Sequence, residues 1–355
     1  MPVRLFRDRR PRLLAPSRIL RETPRQTGGW REREELVEEA RETIAQGSPT
    51  FTLATQLLDR RARERIWLLY AWCRHCDELA DEKNNPADAV QWLEAIRVLT
   101  RRALEGQPTA DIAMDSFGQV AKEAGLTAEM AEDVIEGFAL DVAGWRPRSE
   151  ADLMRYCYHV AGAVGVMAAR ALGVPEDDHE ALDRACDLGL SFELVNMARN
   201  MWNDDAADRA YLPIEWLAEA DIPPGEHMKP VFREQLVALV TRLLDLAEEH
   251  SAAGRYGAAR LPFRQRWAVL TAANIYGAVA REVRERGPTA WDHRVRKPAL
   301  ARLRAVAQAF GDALRVPEEP AQWPRWTRGE LMIAVRMAGP IAPITMTPLP
   351  DEESQ

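Results

Sequence analysis

AWCRHCDELAD, residues 71–81, lies in a long run of helix-forming residues, and its reading decides the rest of the chain. Cys73, His75 and Cys76 offer metal or thiol chemistry, whereas Asp77 and Asp81 offer a carboxylate pair. A structural zinc site needs about four ligands, and no second Cys-x-x-Cys exists. A redox pair wants its thiolate at a helix N-terminus, but the helical run begins earlier, near Arg63. The cysteines therefore read as packing residues. At i,i+4 spacing the two aspartates share one helical face, where like charges cost about a few tenths of a kcal/mol, so something is expected to offset them. A second polar stripe answers that need. In SFELVNMARNMWNDD, residues 191–205, Glu193, Asn196, Asn200 and Asp204 recur every three or four residues, while Leu194, Val195, Met197 and Met201 take other faces. Mg²⁺ keeps several waters and is typically bound by one or two carboxylates plus substrate phosphates, so two facing stripes suit a diphosphate substrate. A polar network buried between helices is the alternative reading.

Around these stripes the pattern is helical almost throughout from about residue 31, rich in Ala, Leu, Glu and Arg with few alternating β-branched runs. Breaks fall at Pro86, 105–108, 124–129, 173–178, 221–227 and 284–293, which predicts an all-α protein of some ten helices. No break is long or polar enough to be a linker, so residues 31–315 are expected to form a single helical domain. Residues 316–355 read as a peripheral tail. Residues 1–30 hold eight arginines against Asp8 and Glu22 and lack helical periodicity; they read as a flexible basic arm.

With 355 residues, 46% of them hydrophobic and 29% charged, the chain can bury a large core. The net charge of -8 argues against a general nucleic-acid binder. Four scattered cysteines fit a reducing compartment, and no signal peptide is evident, so a cytoplasmic location is expected. The small-apolar run VAGAVGVMAARALG, from Val160, reaches Arg170 well short of the roughly 20 residues needed to span a bilayer. The six histidines show no ligand spacing, and only His293 merits a test.

SPTF (48–51), LYAWCRHCDELADE (69–82), YCYHVAGAVG (156–165), DLGLSFELVNMARN (187–200), DDAADRAYLPIEWL (204–217) and AWDHR (290–294) together resemble the squalene/phytoene synthase family, most closely its bacterial phytoene synthases. The resemblance covers roughly residues 45–310 in order. It implies an all-α isoprenoid-synthase fold with a central cavity, in which two aspartate-rich helices bind Mg²⁺ (or Mn²⁺) and diphosphate. Asp77, Asp81, Asn196, Asn200 and Asp204 stand at the implied metal positions, and Arg74, Arg199, Arg294, Ser48 and Thr50 at diphosphate positions. Tyr70, Tyr156 and Tyr276 match tyrosines lining the cavity, with Phe51 and Glu193 beside them. The implied activity joins two geranylgeranyl diphosphates head to head, through prephytoene diphosphate, to phytoene, a step of carotenoid biosynthesis without NADPH. Implied partners are geranylgeranyl diphosphate, downstream carotenoid enzymes and a membrane surface touched peripherally, with the arginine arm as the expected contact.

Several residues depart from the family pattern. Asn200 and Asn203 replace acids of the second motif, Glu193 stands where glutamine is usual, and Pro147 replaces a tyrosine after Asp141. The Asn200 change keeps open a catalytically weakened helical partner that binds prenyl diphosphate, and the cavity depth, which the sequence alone does not set, keeps open a C15-using dehydrosqualene or squalene synthase.

Overall fold

The computed structural model describes residues 31–80, 86–293, 295 and 298–339; Asp81, Arg294, the arm at 1–30 and residues 340–355 lie outside the described residues. The helices, in chain order, are α1 (Arg33–Gly47), α2 (Pro49–Thr55), α3 (Arg60–Ala80), α4 (Pro86–Leu104), α5 (Ile112–Ala124), α6 (Ala128–Val142) and α7 (Glu150–Cys157). After a π-helical turn at Tyr158–Gly162 come α8 (Ala163–Ala171), α9 (His179–Ala206), α10 (Ile214–Glu219), α11 (Arg233–Gly257), α12 (Phe263–Arg286), α13 (Ala299–Leu314) and α14 (Arg328–Ala338). No strand occurs among the described residues, as the sequence pattern predicts. The described residues hold more helices than the sequence breaks imply. Short α2 and α10 were not separable by periodicity, and the π turn divides α7 from α8 without any Pro or Gly break.

Helix starts follow the chemistry of unpaired N–H groups. Asp111 accepts from the N–H groups of Ala113 and Met114, Thr127 from Met130, and Ser149 from Asp152. Gly125, at φ +65°, closes α5 in the left-handed conformation that glycine adopts without a Cβ clash.

The core forms around α3. Trp72 is fully buried, stacks on Phe117 with centroids 4.2 Å apart, and donates its indole N–H to Thr100 Oγ1 at 3.2 Å. Helix α9 runs through the middle of the molecule and packs most extensively on α11. Its approach to the α8 rod depends on two glycines. A Cβ on Gly189 would sit 2.2 Å from the Ala161 carbonyl oxygen, and one on Gly165 would sit 2.4 Å from that of Ala185. Trp291 of the AWDHR stretch donates to the Ala198 carbonyl at 2.8 Å, tying the chain after α12 to α9. The segment after α13 returns across α7 and α9: Leu331 is buried, Trp326 donates to Glu150 at 3.0 Å and Arg328 pairs with Asp183 at 3.0 Å. Among the described residues no helix is long and apolar enough to cross a membrane.

Candidate active site

A cavity of about 330 Å³ opens between α2, α3, α8, α9, the end of α11 and α12. One end is polar, formed by Glu193 and Asn196 near Tyr70, Cys73 and Tyr276; the remainder is almost wholly apolar. From Asn196 the lining follows α9 back to Ala181, which at about 1.5 Å per residue is ~22 Å of helix. The deep half is built from small residues: Gly165, Ala168 and Ala169 of α8, and Ala181, Ala185 and Gly189 of α9. The π turn contributes Val160 and Ala161 to the wall.

At the polar end the second stripe is connected along one face of α9. Asn196 donates to Glu193 Oε2 at 3.4 Å, and Arg199 donates to Asn196 Oδ1 at 2.8 Å and to Asn200 Oδ1 at 3.3 Å. On α3, Arg74 donates to Asp77 at 3.0 Å and Glu78 at 2.8 Å. The two stripes sense one another. Burial pushes the Glu193 carboxyl up to about 7; the hydrogen bond from Asn196 opposes this, and the charges of Asp204, Asp141 and Asp77 add to it. Carboxylates from α3, α6 and α9 therefore converge on one small region.

This is an oxygen-donor set of the kind hard divalent cations prefer, and Glu193 is raised first by its burial and further by the neighbouring acidic charges. The residues fit Mg²⁺ or Mn²⁺. Among the described residues no group of three or more His, Cys, Asp or Glu is close enough to hold a metal by itself, so amide oxygens and substrate phosphates would complete the coordination.

Next to the polar end stands an aromatic collar. Phe192 stacks on Tyr276 with centroids 4.2 Å apart, and Phe51 lies 6.3–6.4 Å from Tyr70, Phe192 and Tyr276. Burial pushes the Tyr70 hydroxyl up to about 12 and raises that of Tyr276, so both stay protonated. Gly47 makes room for Tyr70: a Cβ there would lie 2.3 Å from the tyrosine hydroxyl.

Other site residues anticipated from the sequence lie elsewhere. Tyr156 is absent from the cavity lining; its hydroxyl donates to both Asp141 oxygens at 3.0 Å, and its ring stacks between Trp145 and Tyr211. Tyr211 also donates to Asp141, at 3.1 Å. Ser48 caps α2, its Oγ accepting from the Phe51 N–H at 3.3 Å, and Thr50 is half-buried outside the cavity lining. In the CRHC stretch Cys76 is buried, Cys73 lines the cavity with its thiol pushed up to about 12 by burial, and His75 points to Asp111 at 2.9 Å. Phe192, Gly47 and the Asp141–Tyr211 pair were not singled out by the sequence reading. For Phe192 a signal existed: it continues the α9 face of Ala181, Ala185, Leu188 and Gly189.

The helical architecture is a known one. A solved dehydrosqualene synthase superposes with a TM-score of 0.70 at 23% identity, covering 79% of this chain and 96% of that one. The squalene synthase HpnC of Alicyclobacillus acidocaldarius gives 0.64 at 21% identity, over 72% and 95% of the two chains. The squalene/phytoene synthase family profile matches residues 44–304, and the chain belongs to that family. Its sequence is 40% identical over 288 residues to the phytoene synthase of Pseudescherichia vulneris, covering 79% of this chain and 93% of that protein. The 15-cis-phytoene synthase of Pantoea ananas is 38% identical over 287 residues, covering 79% and 92%.

Proposed function

We propose that the protein is a prenyltransferase that condenses two geranylgeranyl diphosphates head to head to phytoene, through prephytoene diphosphate, in carotenoid biosynthesis. The observation that carries this reading is the cavity with a polar end formed by Glu193 and Asn196 and an apolar bore whose wall follows α9 for ~22 Å, matched to an extended C20 chain of roughly 20 Å. That length favours C20 over C15 substrates. Identity to phytoene synthases over most of the chain supports the same choice.

Asp77, Asp204, Asn196, Asn200 and Glu193, with Asp81, would hold Mg²⁺; the ion supplies positive charge against the departing pyrophosphate. Arg74 and Arg199 stand beside these residues as diphosphate clamps, a role suited to the planar guanidinium; Ser48, Thr50 and Arg294 are assigned to diphosphate by their match to the family motifs alone. Arg199 donates to the side-chain oxygens of Asn196 and Asn200. Diphosphate binding would draw it off and free those oxygens. The collar of Phe51, Tyr70, Phe192 and Tyr276 presents ring faces to the allylic cation and keeps water from it. Tyr156 acts at one remove, fixing Asp141 beside the acidic cluster.

We also assign residues 1–30 as a basic arm and 31–315 as the catalytic domain; of the segment expected to be a peripheral tail, α14 packs on that domain with Leu331 buried in its core. A cytoplasmic location with peripheral membrane contact follows from an apolar C40 product. Incubation of the purified chain with geranylgeranyl diphosphate and Mg²⁺, without NADPH, is expected to yield phytoene. A C30 product from farnesyl diphosphate alone would move the assignment to the C15 enzymes, and no product at all would favour a weakened binding partner.

A further inference from the structure

Among the described residues, half of the exposed large hydrophobic side chains belong to α13, its immediate end, or the ring packed on it. Leu300 is 60% exposed, Leu303 61%, Phe310 43%, Leu314 66%, Val316 90% and the neighbouring Phe263 37%. Leu300, Leu303, Ala307, Phe310 and Leu314 recur at spacings of three and four, which at ~100° per residue places them within an arc of about 80°. The opposite side of the helix is secured. Ala305, Ala309 and Ala313 are buried, Trp267 donates to the Val306 carbonyl at 2.9 Å, and Arg266 donates to that of Ala313 at 3.1 Å. The outward stripe is thus a face of a firmly held helix that no other described residue covers.

Its charges identify what covers it. The exposed arginines Arg304 and Arg315 lie along one edge of the stripe, Arg315 just past the helix end, and half-exposed Arg302 lies farther round the helix. The only acid on α13, Asp312, is held by Arg255 and Asn274, both at 3.1 Å, and stands 3.8 Å from exposed Arg315 in a loose pair that leaves most of that guanidinium in solvent. Glu318 and Glu319 come only after the helix has ended. A basic apolar face on a chain of net charge -8 is a local complement to an anionic surface. A symmetric contact with a second copy would set Arg304 and Arg315 against their own kind with no acid on the stripe to offset them. The N-terminal arm, with eight arginines, carries the same sign.

The face also lies close to the cavity. Ala258 and Val269 line the cavity's deep end and belong to the same small apolar cluster as Ala309 and Ala313 of α13. We propose that the outward stripe of α13 is the surface by which the protein lies on an anionic lipid bilayer, with its apolar side chains among the acyl chains and Arg304 and Arg315 at the headgroups. The inference deepens the proposed function by placing the deep end of the cavity nearest the membrane that receives its product. Its vesicle-binding readout needs no substrate and is independent of which product forms.

The test is flotation of the full chain with phosphatidylcholine vesicles, with and without phosphatidylglycerol, at low and high salt. The wild type is expected to float with the anionic vesicles and to lose most of that binding in high salt. Leu303→Glu/Phe310→Glu should reduce binding at least about tenfold, and Arg304→Glu/Arg315→Glu by about fivefold or more for each arginine, from the attraction typical of basic residues near anionic lipid. These side chains are exposed, so helix content and turnover of detergent-solubilised substrate should stay at wild-type levels. The proposal is overturned if both double variants float like the wild type, or if deleting residues 1–30 alone abolishes binding. It is equally overturned if the wild type is a dimer that Leu303→Glu/Phe310→Glu dissociates and that never binds vesicles.

Discussion

The two ends of the cavity are built on opposite principles. At the polar end, long side chains converge from distant parts of the sequence, and their charges shift one another. At the deep end, side chains have been withdrawn: Gly165, Ala168, Ala169, Ala181 and Ala185 leave the space that an apolar chain would fill. Chemistry in such a protein is carried by what is present at one end, and substrate length by what is missing at the other. Substitutions should therefore act differently at the two ends.

The largest effect is expected at the polar end. Asp77→Asn or Asp204→Asn removes a carboxylate from the crowded region and should lower turnover at least about a hundredfold, given the several kcal/mol that a bound cation contributes to departing charge. Circular dichroism should show the helices intact. Loss of helix content along with activity would mean that the carboxylates are structural.

Glu193 sharpens the same contrast through pH. In the metal-free folded chain its carboxyl titrates at about 7, against 4.5 for an unperturbed glutamate. Between those values the folded state binds a proton that the unfolded state does not. The contribution of this one group to stability is thus fully present below about pH 4.5 and is lost as the pH rises to about 7, by roughly 3 kcal/mol, while carboxylates held low, such as Glu123 and Asp111, act in the opposite sense at acid pH. Glu193→Gln should remove this slope from Tm measured against pH in EDTA. An unchanged slope would place the charge crowding elsewhere.

A smaller change is expected from Asn200→Asp, which restores a carboxylate beside Arg199. The half-saturating Mg²⁺ concentration should fall about tenfold, a modest remnant of the roughly 4 kcal/mol that two unit charges about 4 Å apart share at an effective dielectric of 20. If Glu193 already supplies that charge, Asn200→Asp changes little and Glu193→Gln raises the requirement instead. The smallest effect should come from Tyr156→Phe. It removes the hydroxyl from Asp141 and should cost about 1 kcal/mol of stability with turnover changed less than tenfold. A collapse of turnover would make Tyr156 a direct participant in the reaction.

The same contrast separates what the sequence made legible from what it did not. Asp77 and the Glu193–Asp204 stripe were readable because charged residues at helical spacing inside apolar helices are conspicuous one residue at a time. The deep end was written in VAGAVGVMAARALG, which as a sequence says only that the run is small, apolar and too short to cross a membrane. The π turn at Tyr158–Gly162 changes which of its residues face inward, and no local residue type announces such a turn. Gly47 is another case, since its need to be small depends on Tyr70, a residue on a different helix. Tyr156 was assigned to the cavity because it stands in a matching motif; its partners Asp141 and Tyr211 come from positions 15 residues before and 55 after it, and only the fold brings them together.

The division of labour between the two ends is tested most directly by offering an equal mixture of farnesyl and geranylgeranyl diphosphates, with Mg²⁺ and no NADPH, and weighing the hydrocarbon products. The wild type should give C40. Ala185→Phe, which fills part of the deep cavity and leaves the polar end untouched, should turn over at a similar rate but shift to C30. A wild type that makes only C30, or an Ala185→Phe variant that keeps making C40 at the wild-type rate, would contradict the assignment of substrate length to the space those small residues leave.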